Sequence, residues 1–169
     1  MGILNLLPVI YIVFPYMVNE TYANSKAVIP LYLLATVASF VSIFLGSIFG
    51  AIKKTTGIFT TTLFSSIVNV IIINAFIGIW GLQAANISLL MGFLVNIVLR
   101  IRMLNKELVI KVDYKFLIVF ALLFTCVNFA FSNLGLLQNL LVLVIALFIT
   151  ILVFKEYIAI LVARIRVRR

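Results

Sequence analysis

The chain has 169 residues, of which 66% are hydrophobic and 10% charged, with a net charge of +9, no histidine and one cysteine. A water-soluble domain carries about 25% charged residues, so a mean hydropathy of +1.34 excludes a soluble enzyme and makes lipid the solvent of most of this surface. The basic residues fall between apolar runs rather than along one groove, which excludes a nucleic-acid-binding module, and Cys126, inside an apolar run, offers neither a disulfide framework nor a thiol metal site.

The length accommodates about six to eight spans of ~20 residues with short loops. Met1 to Val18 is apolar, has no Lys or Arg before it and lacks a small-residue cleavage pattern, so it reads as a span rather than a signal peptide. The first span runs from Ile3 to Val18. Pro8 and Pro15 either kink it, which a helix in lipid tolerates when neighbours compensate, or Pro15 helps to end it. The loop Asn19 to Lys26 follows, with Glu20 and Lys26 opposing in charge.

The second span is Ala27 to Ala51, with Pro30 in its first turn, where proline costs little. Ala38, Ser42, Gly46 and Gly50 recur every fourth residue. This stripe of small residues predicts a helix-packing face on which backbones approach closely. The turn Lys53 to Gly57 leads to the third span, Ile58 to Ile77. Here Thr62, Ser65, Ser66 and Asn69 share one helical face at i, i+3, i+4 and i+7, with Asn74 beyond. An amide near mid-membrane cannot face lipid unsatisfied. These five residues are therefore the candidates for cavity lining, with interhelical packing the other reading of the same face.

Gly78 to Gly81 predicts a bend, with Trp80 as an interfacial anchor. The fourth span is Leu82 to Leu99, carrying Asn86, Ser88 and Asn96 and ending at Arg100 and Arg102. The connection from Arg100 to Lys115 places Met103, Leu104, Leu108, Val109 and Val112 on the membrane surface. The fifth and sixth spans, Phe116 to Phe131 and Leu136 to Phe154, hold little polar content and read as peripheral or lipid-facing. The tail Lys155 to Arg169 suits anionic phospholipid headgroups.

Charge sets the expected topology. Twelve of the thirteen basic residues fall in the turn after the second span, the long connection and the tail, and only Lys26 falls on the other side. By the positive-inside rule the chain crosses six times with both termini cytoplasmic. The fold class expected is all-α, a polytopic membrane helix bundle.

Chemistry is sparse. None of the four acidic residues, Glu20, Glu107, Asp113 and Glu156, lies inside a span. An intramembrane carboxylate for proton coupling, clustered acidic ligands for a metal and a histidine base are all missing from the sequence. Lys106-Glu107 reads as a solvated charge pair, and no Lys or Arg is expected mid-span. No cofactor is called for, and the reading is a transporter-like protein rather than an enzyme.

Pro15, the turn Asn19-Glu20-Thr21-Tyr22-Ala23, Ile29-Pro30-Leu31, Leu45-Gly46-Ser47, Lys53-Lys54-Thr55, Asn69, Asn74 and Gly78-Ile79-Trp80-Gly81-Leu82-Gln83-Ala84-Ala85 form an ordered set. Together they resemble the C-terminal part of bacterial polysaccharide (O-antigen-type) flippases, of the superfamily that also holds multidrug exporters. The last run resembles a family run that opens on Tyr-Gly and closes on Gly-Ala-Ala, with Trp80 in place of tyrosine and Gln83 in place of the second glycine. The likeness covers Pro15 to Arg102.

The resemblance implies a two-lobed flippase fold of which these six spans are the ninth to fourteenth. Residues 1–100 would then be a four-helix part of the C-terminal lobe, 101–114 a cytoplasmic or interfacial loop, 115–154 two additional helices and 155–169 a basic cytoplasmic tail. It further implies a lipid-linked oligosaccharide of undecaprenyl-pyrophosphate type as the substrate, moved across the bacterial cytoplasmic (inner) membrane. The partner would be an N-terminal half, without which the chain is incomplete. The motif order, and Met1 opening directly on a span, point to such a fragment. A free-standing six-span assembly or scaffold protein without transport activity is the alternative.

Overall fold

The computed structural model describes residues 2–108, 110 and 113–167, with side chains described for all of these except 20, 21, 23, 24 and 156–167. Six α-helices account for nearly all of it: α1 (Gly2–Met17), α2 (Ile29–Ala51), α3 (Thr55–Trp80), α4 (Leu82–Leu104), α5 (Tyr114–Asn133) and α6 (Leu136–Val167). A 3-10 segment, Glu20–Val28, joins α1 to α2. No strand occurs among the described residues. In lipid a helix satisfies its backbone polar groups internally, which is why so apolar a chain folds this way. The protein is an all-α, multi-pass membrane bundle.

Among the described residues, five helical segments are long and apolar enough to cross a membrane: Ser25–Ala51, Thr55–Trp80, Leu82–Leu104, Tyr114–Asn133 and Leu136–Lys155. The expected first span is shorter. α1 has 16 residues, about 24 Å of helix at 1.5 Å per residue, against a hydrocarbon core of about 30 Å. It runs through both Pro8 and Pro15 and ends at Met17.

Other boundaries also move. α3 continues through Gly78, Ile79 and Trp80, and the chain turns only at Gly81, whose φ of 51° lies in the left-handed region. Trp80 stacks on Phe76 at 5.0 Å, a one-turn pair on the same helix. α4 extends to Leu104, beyond the expected Leu99. Met103 and Leu104 therefore belong to a helix rather than a surface loop, and Leu104 is fully buried beside Leu45 and Phe49. The expectations for Val109 and Val112 lie outside the described residues. α6 runs on to Val167, into the basic tail; Arg168 and Arg169, and the side chains of Glu156, Arg164 and Arg166, lie outside what is described.

The chain divides into two compact units: residues 1–23 with 114–169, and Asn24–Asp113. In the first, α1 packs against both α5 and α6. Its buried side chains include Leu4, Leu7, Val127, Ala130, Phe131 and Ala146, and Tyr11 meets Phe131 edge-on at 5.8 Å. In the second, α4 packs against both α2 and α3. These boundaries group the first helix with the last two, where the family resemblance implies grouping it with the next three.

The α2–α3 turn is built by backbone chemistry. The Lys53 N–H donates to the Gly50 carbonyl and the Lys54 N–H to that of Phe49, a helix C-cap with Lys53 at φ 57°. A residue with a Cβ in this conformation costs about 1 kcal/mol. Lys54 then pairs with Glu107 at 2.5 Å, so Glu107 is engaged from the α2–α3 turn rather than by its neighbour Lys106.

Candidate functional site

The second unit buries a cation. Arg100 stands on α4, one turn before its end, yet is only 5% exposed. Helix geometry explains the direction. Every Cα–Cβ bond tilts toward the helix N-terminus, so at the C-terminal end of α4 the side chain is aimed back into the bundle. The final turns of α2 and α4 and the start of α3 are filled by Leu45, Phe49 and Leu104, with Ile48, Ile52, Ile58, Ile101 and Met103 against them. This apolar plug closes the route to the nearby helix ends. Arg102, two residues on and about 200° around the helix, is exposed.

Three helices hold the guanidinium. Its Nη1 donates to the Ser42 carbonyl on α2 and, at 3.2 Å, to Ser42 Oγ. Nε donates to Thr61 Oγ1 at 3.2 Å and Nη2 to Thr62 Oγ1 at 3.1 Å, both on α3. Ser42 lies about 13 Å from the Ala51 end of α2 at 1.5 Å per residue, so the charge sits well inside the span. No salt bridge reaches Arg100 among the described residues. The expectation that no Lys or Arg lies mid-span is corrected: a helix ending at Leu99 leaves Arg100 in a loop, whereas α4 continues to Leu104 and carries it on the packed face.

Small residues make this possible. A Cβ added at Gly46 would lie 2.8 Å from Arg100 Nη1, so Gly46 leaves the room that the guanidinium fills. Of the predicted α2 stripe, Ala38, Ser42 and Gly46 are buried. Gly50 is exposed, with nothing near its position. The matching stripe on α4 has the same spacing: Ala84, Ser88, Gly92, Asn96, Arg100 and Leu104 are all buried. That four-residue repeat was present in the sequence and would have placed Arg100 on the packed face.

The five candidate cavity residues separate. Ser65 is buried and its hydroxyl donates to the Thr62 carbonyl at 2.9 Å. Ser65 and the half-buried Asn69 flank Gly92, where an added Cβ would meet Asn69 Cβ at 3.2 Å and the Ser65 carbonyl oxygen at 3.3 Å. Thr62 is exposed but touches Arg100. Ser66 and Asn74 are exposed, and the Asn74 amide donates back to the Val70 carbonyl at 2.7 Å.

Thr61, one residue from the predicted set, is the buried hydroxyl that receives the arginine and donates to the Gly57 carbonyl at 2.8 Å. One turn from Arg100, Asn96 is buried and its Oδ1 accepts no hydrogen bond among the described residues. Near the other end of α4, Asn86 and Gln83 donate to the carbonyls of Val28 and Ala27, at 3.0 Å each.

The site thus defines a class: a polytopic helical membrane protein with an arginine caged by hydroxyls inside a three-helix unit. An ionisable group buried in a span is expensive and marks a functional site by default. No family model, no curated protein and no solved structure matches the chain.

Proposed function

We propose that the chain is the C-terminal part of a polysaccharide flippase, working with an N-terminal lobe to move lipid-linked oligosaccharide units across the bacterial inner membrane. The ordered sequence resemblance motivates this reading. The structural observation that carries it is the outer face of α3. This helix is the least buried of the five spanning segments, and Ser66 and Asn74 are exposed along it. Lipid offers the Ser66 hydroxyl and the Asn74 side-chain carbonyl no partner, whereas a water-filled cavity facing a second lobe does. Transport by alternating access uses two bundles about a central site, and on this reading α3 lines that site.

The experiment replaces Ser66 and Asn74 together by Leu in the native host. Both are exposed, so packing is spared. Lost export of the surface polysaccharide, accumulated lipid-linked oligosaccharide and a normal amount of protein in the membrane are expected. Normal export from the double variant counts against a transport cavity here. A coding region without a flippase-like N-terminal lobe, in frame or in a neighbouring gene, counts against the family itself.

The free-standing assembly protein keeps one supporting observation: Ser65 and Asn69 lie against Gly92, in a packed helix crossing. That reading requires export to survive changes on the exposed face.

A further inference from the structure

The hydrogen bonds around Arg100 leave two donors unused, and both lie at one edge. A guanidinium has five N–H groups. Nε gives one bond, Nη1 gives two and Nη2 gives one. The second N–H of Nη2 therefore has no acceptor among the described residues. Thr62 has an unused donor as well. Thr36, Thr60, Thr61, Thr125 and Thr150 each donate their hydroxyl to the carbonyl four residues earlier. The Thr62 hydroxyl accepts from Arg100 but reaches no acceptor among the described residues.

Two convergent donors, one of them carrying a full positive charge, are a recognition element for an oxyanion. The charge also needs a counter-ion. Burying an unpaired ion costs several kcal/mol even after relaxation, and Glu107, on the loop just after α4, is already engaged by Lys54.

We infer that Arg100 Nη2 and the Thr62 hydroxyl form an oxyanion site occupied by the phosphate of a resident anionic glycerophospholipid. Access is lateral, through the exposed side chain of Thr62, because the apolar plug around Leu45, Phe49 and Leu104 closes the route from the helix ends. Thr62 lies about 10 Å along α3 from Thr55 at 1.5 Å per residue. At that depth on a spanning helix the surrounding solvent is lipid, and the oxyanion that a bilayer supplies is the lipid phosphate. Local thinning of the bilayer at a buried arginine brings headgroups to it. The lipid is a structural partner and not cargo, so the site does not depend on what the chain transports.

The test uses the full chain purified in a neutral detergent and read by native mass spectrometry. The titrants are phosphatidylglycerol, diacylglycerol with the same acyl chains and no phosphate, and inorganic phosphate. Selective retention of phosphatidylglycerol over diacylglycerol is expected. Thr62→Val should weaken that retention about tenfold, the size of one lost hydrogen bond to a charged partner, with an unchanged helical circular dichroism spectrum. Arg100→Lys, which keeps the charge and loses the fork, should weaken it as well. Equal retention of both lipids overturns the site, as does a Thr62→Val protein that binds like the unmodified chain. Inorganic phosphate binding as tightly as phosphatidylglycerol overturns the lipid as its source. A cross-link from position 62 to a partner protein's carboxylate overturns the phosphate altogether.

Discussion

The two units of this protein solve the same problem in opposite ways. Between helices in lipid there is little hydrophobic driving force, because the tails are as apolar as leucine. In residues 24–113, α2, α3 and α4 are joined by close backbone approach at glycine and by hydrogen bonds from a buried cation. In the unit of α1, α5 and α6, the contact is mostly apolar and less complete. Leu4, Leu123, Cys126, Val127, Val142, Ile145, Ala146 and Ile149 line a cavity of about 170 Å³ there. Its polar ties are uncharged: Asn5 on α1 donates to Thr150 on α6 at 3.0 Å, and Asn139, fully buried, donates locally to the carbonyls of Ala130, Leu134 and Gly135. One unit is specified by polar geometry and small residues, the other by apolar fit with an asparagine fastening its helix turn.

The sharpest way to break the unit of α2, α3 and α4 is Gly92→Leu. The Ser65 carbonyl oxygen is backbone and cannot move aside, so the side chain forces α3 and α4 apart. A loss of about 3 kcal/mol is expected, seen as a fall in the thermal midpoint of the purified protein. The corresponding change in the other unit is Asn139→Leu. It removes an amide whose two N–H groups are shared among three carbonyls at the α5–α6 turn and should cost about 2 kcal/mol by the same measurement.

Arg100→Met sharpens the comparison in the other direction. The hydroxyl of Thr61 already donates to its own helix, and among the described residues no charged side chain is left without its partner. Replacing a buried ion with an apolar chain of similar volume is often neutral or stabilising, so a thermal midpoint unchanged, or raised by about 1 kcal/mol equivalent, is expected. A large loss would show that the arginine is a structural tie like Asn139. The smallest effect belongs to Gly50→Leu. Nothing lies near that position, and a shift within about 0.5 kcal/mol would separate it from its buried stripe-mate Gly46.

Much of the fold was legible in the sequence, and the candidate site much less so. Apolar runs of span length located α2 to α6, because lipid demands one kind of backbone and one minimum length. The run before Asn19 was legible as apolar but not as a 16-residue helix. The polar face of α3 was legible as a periodicity, yet periodicity does not say which part meets a neighbour. Ser65 turned out buried and Ser66 exposed, although they are adjacent. Arg100 was missed for a specific reason. Counting charges treats every basic residue near a span end as interfacial, and two arginines separated by a single residue look equivalent in a count. On a helix they face nearly opposite ways, and only one of them faces α2.

The sequence by itself determined the solvent, the helical class and the existence of small-residue stripes, since these follow from composition and spacing along one chain. Only the tertiary structure decided that the stripes on α2 and α4 meet within one unit, that Gly46 makes room for a guanidinium and that Ser42, Thr61 and Thr62 surround it. A periodicity is a property of one helix, whereas the burial of a charge depends on what two other helices place around it.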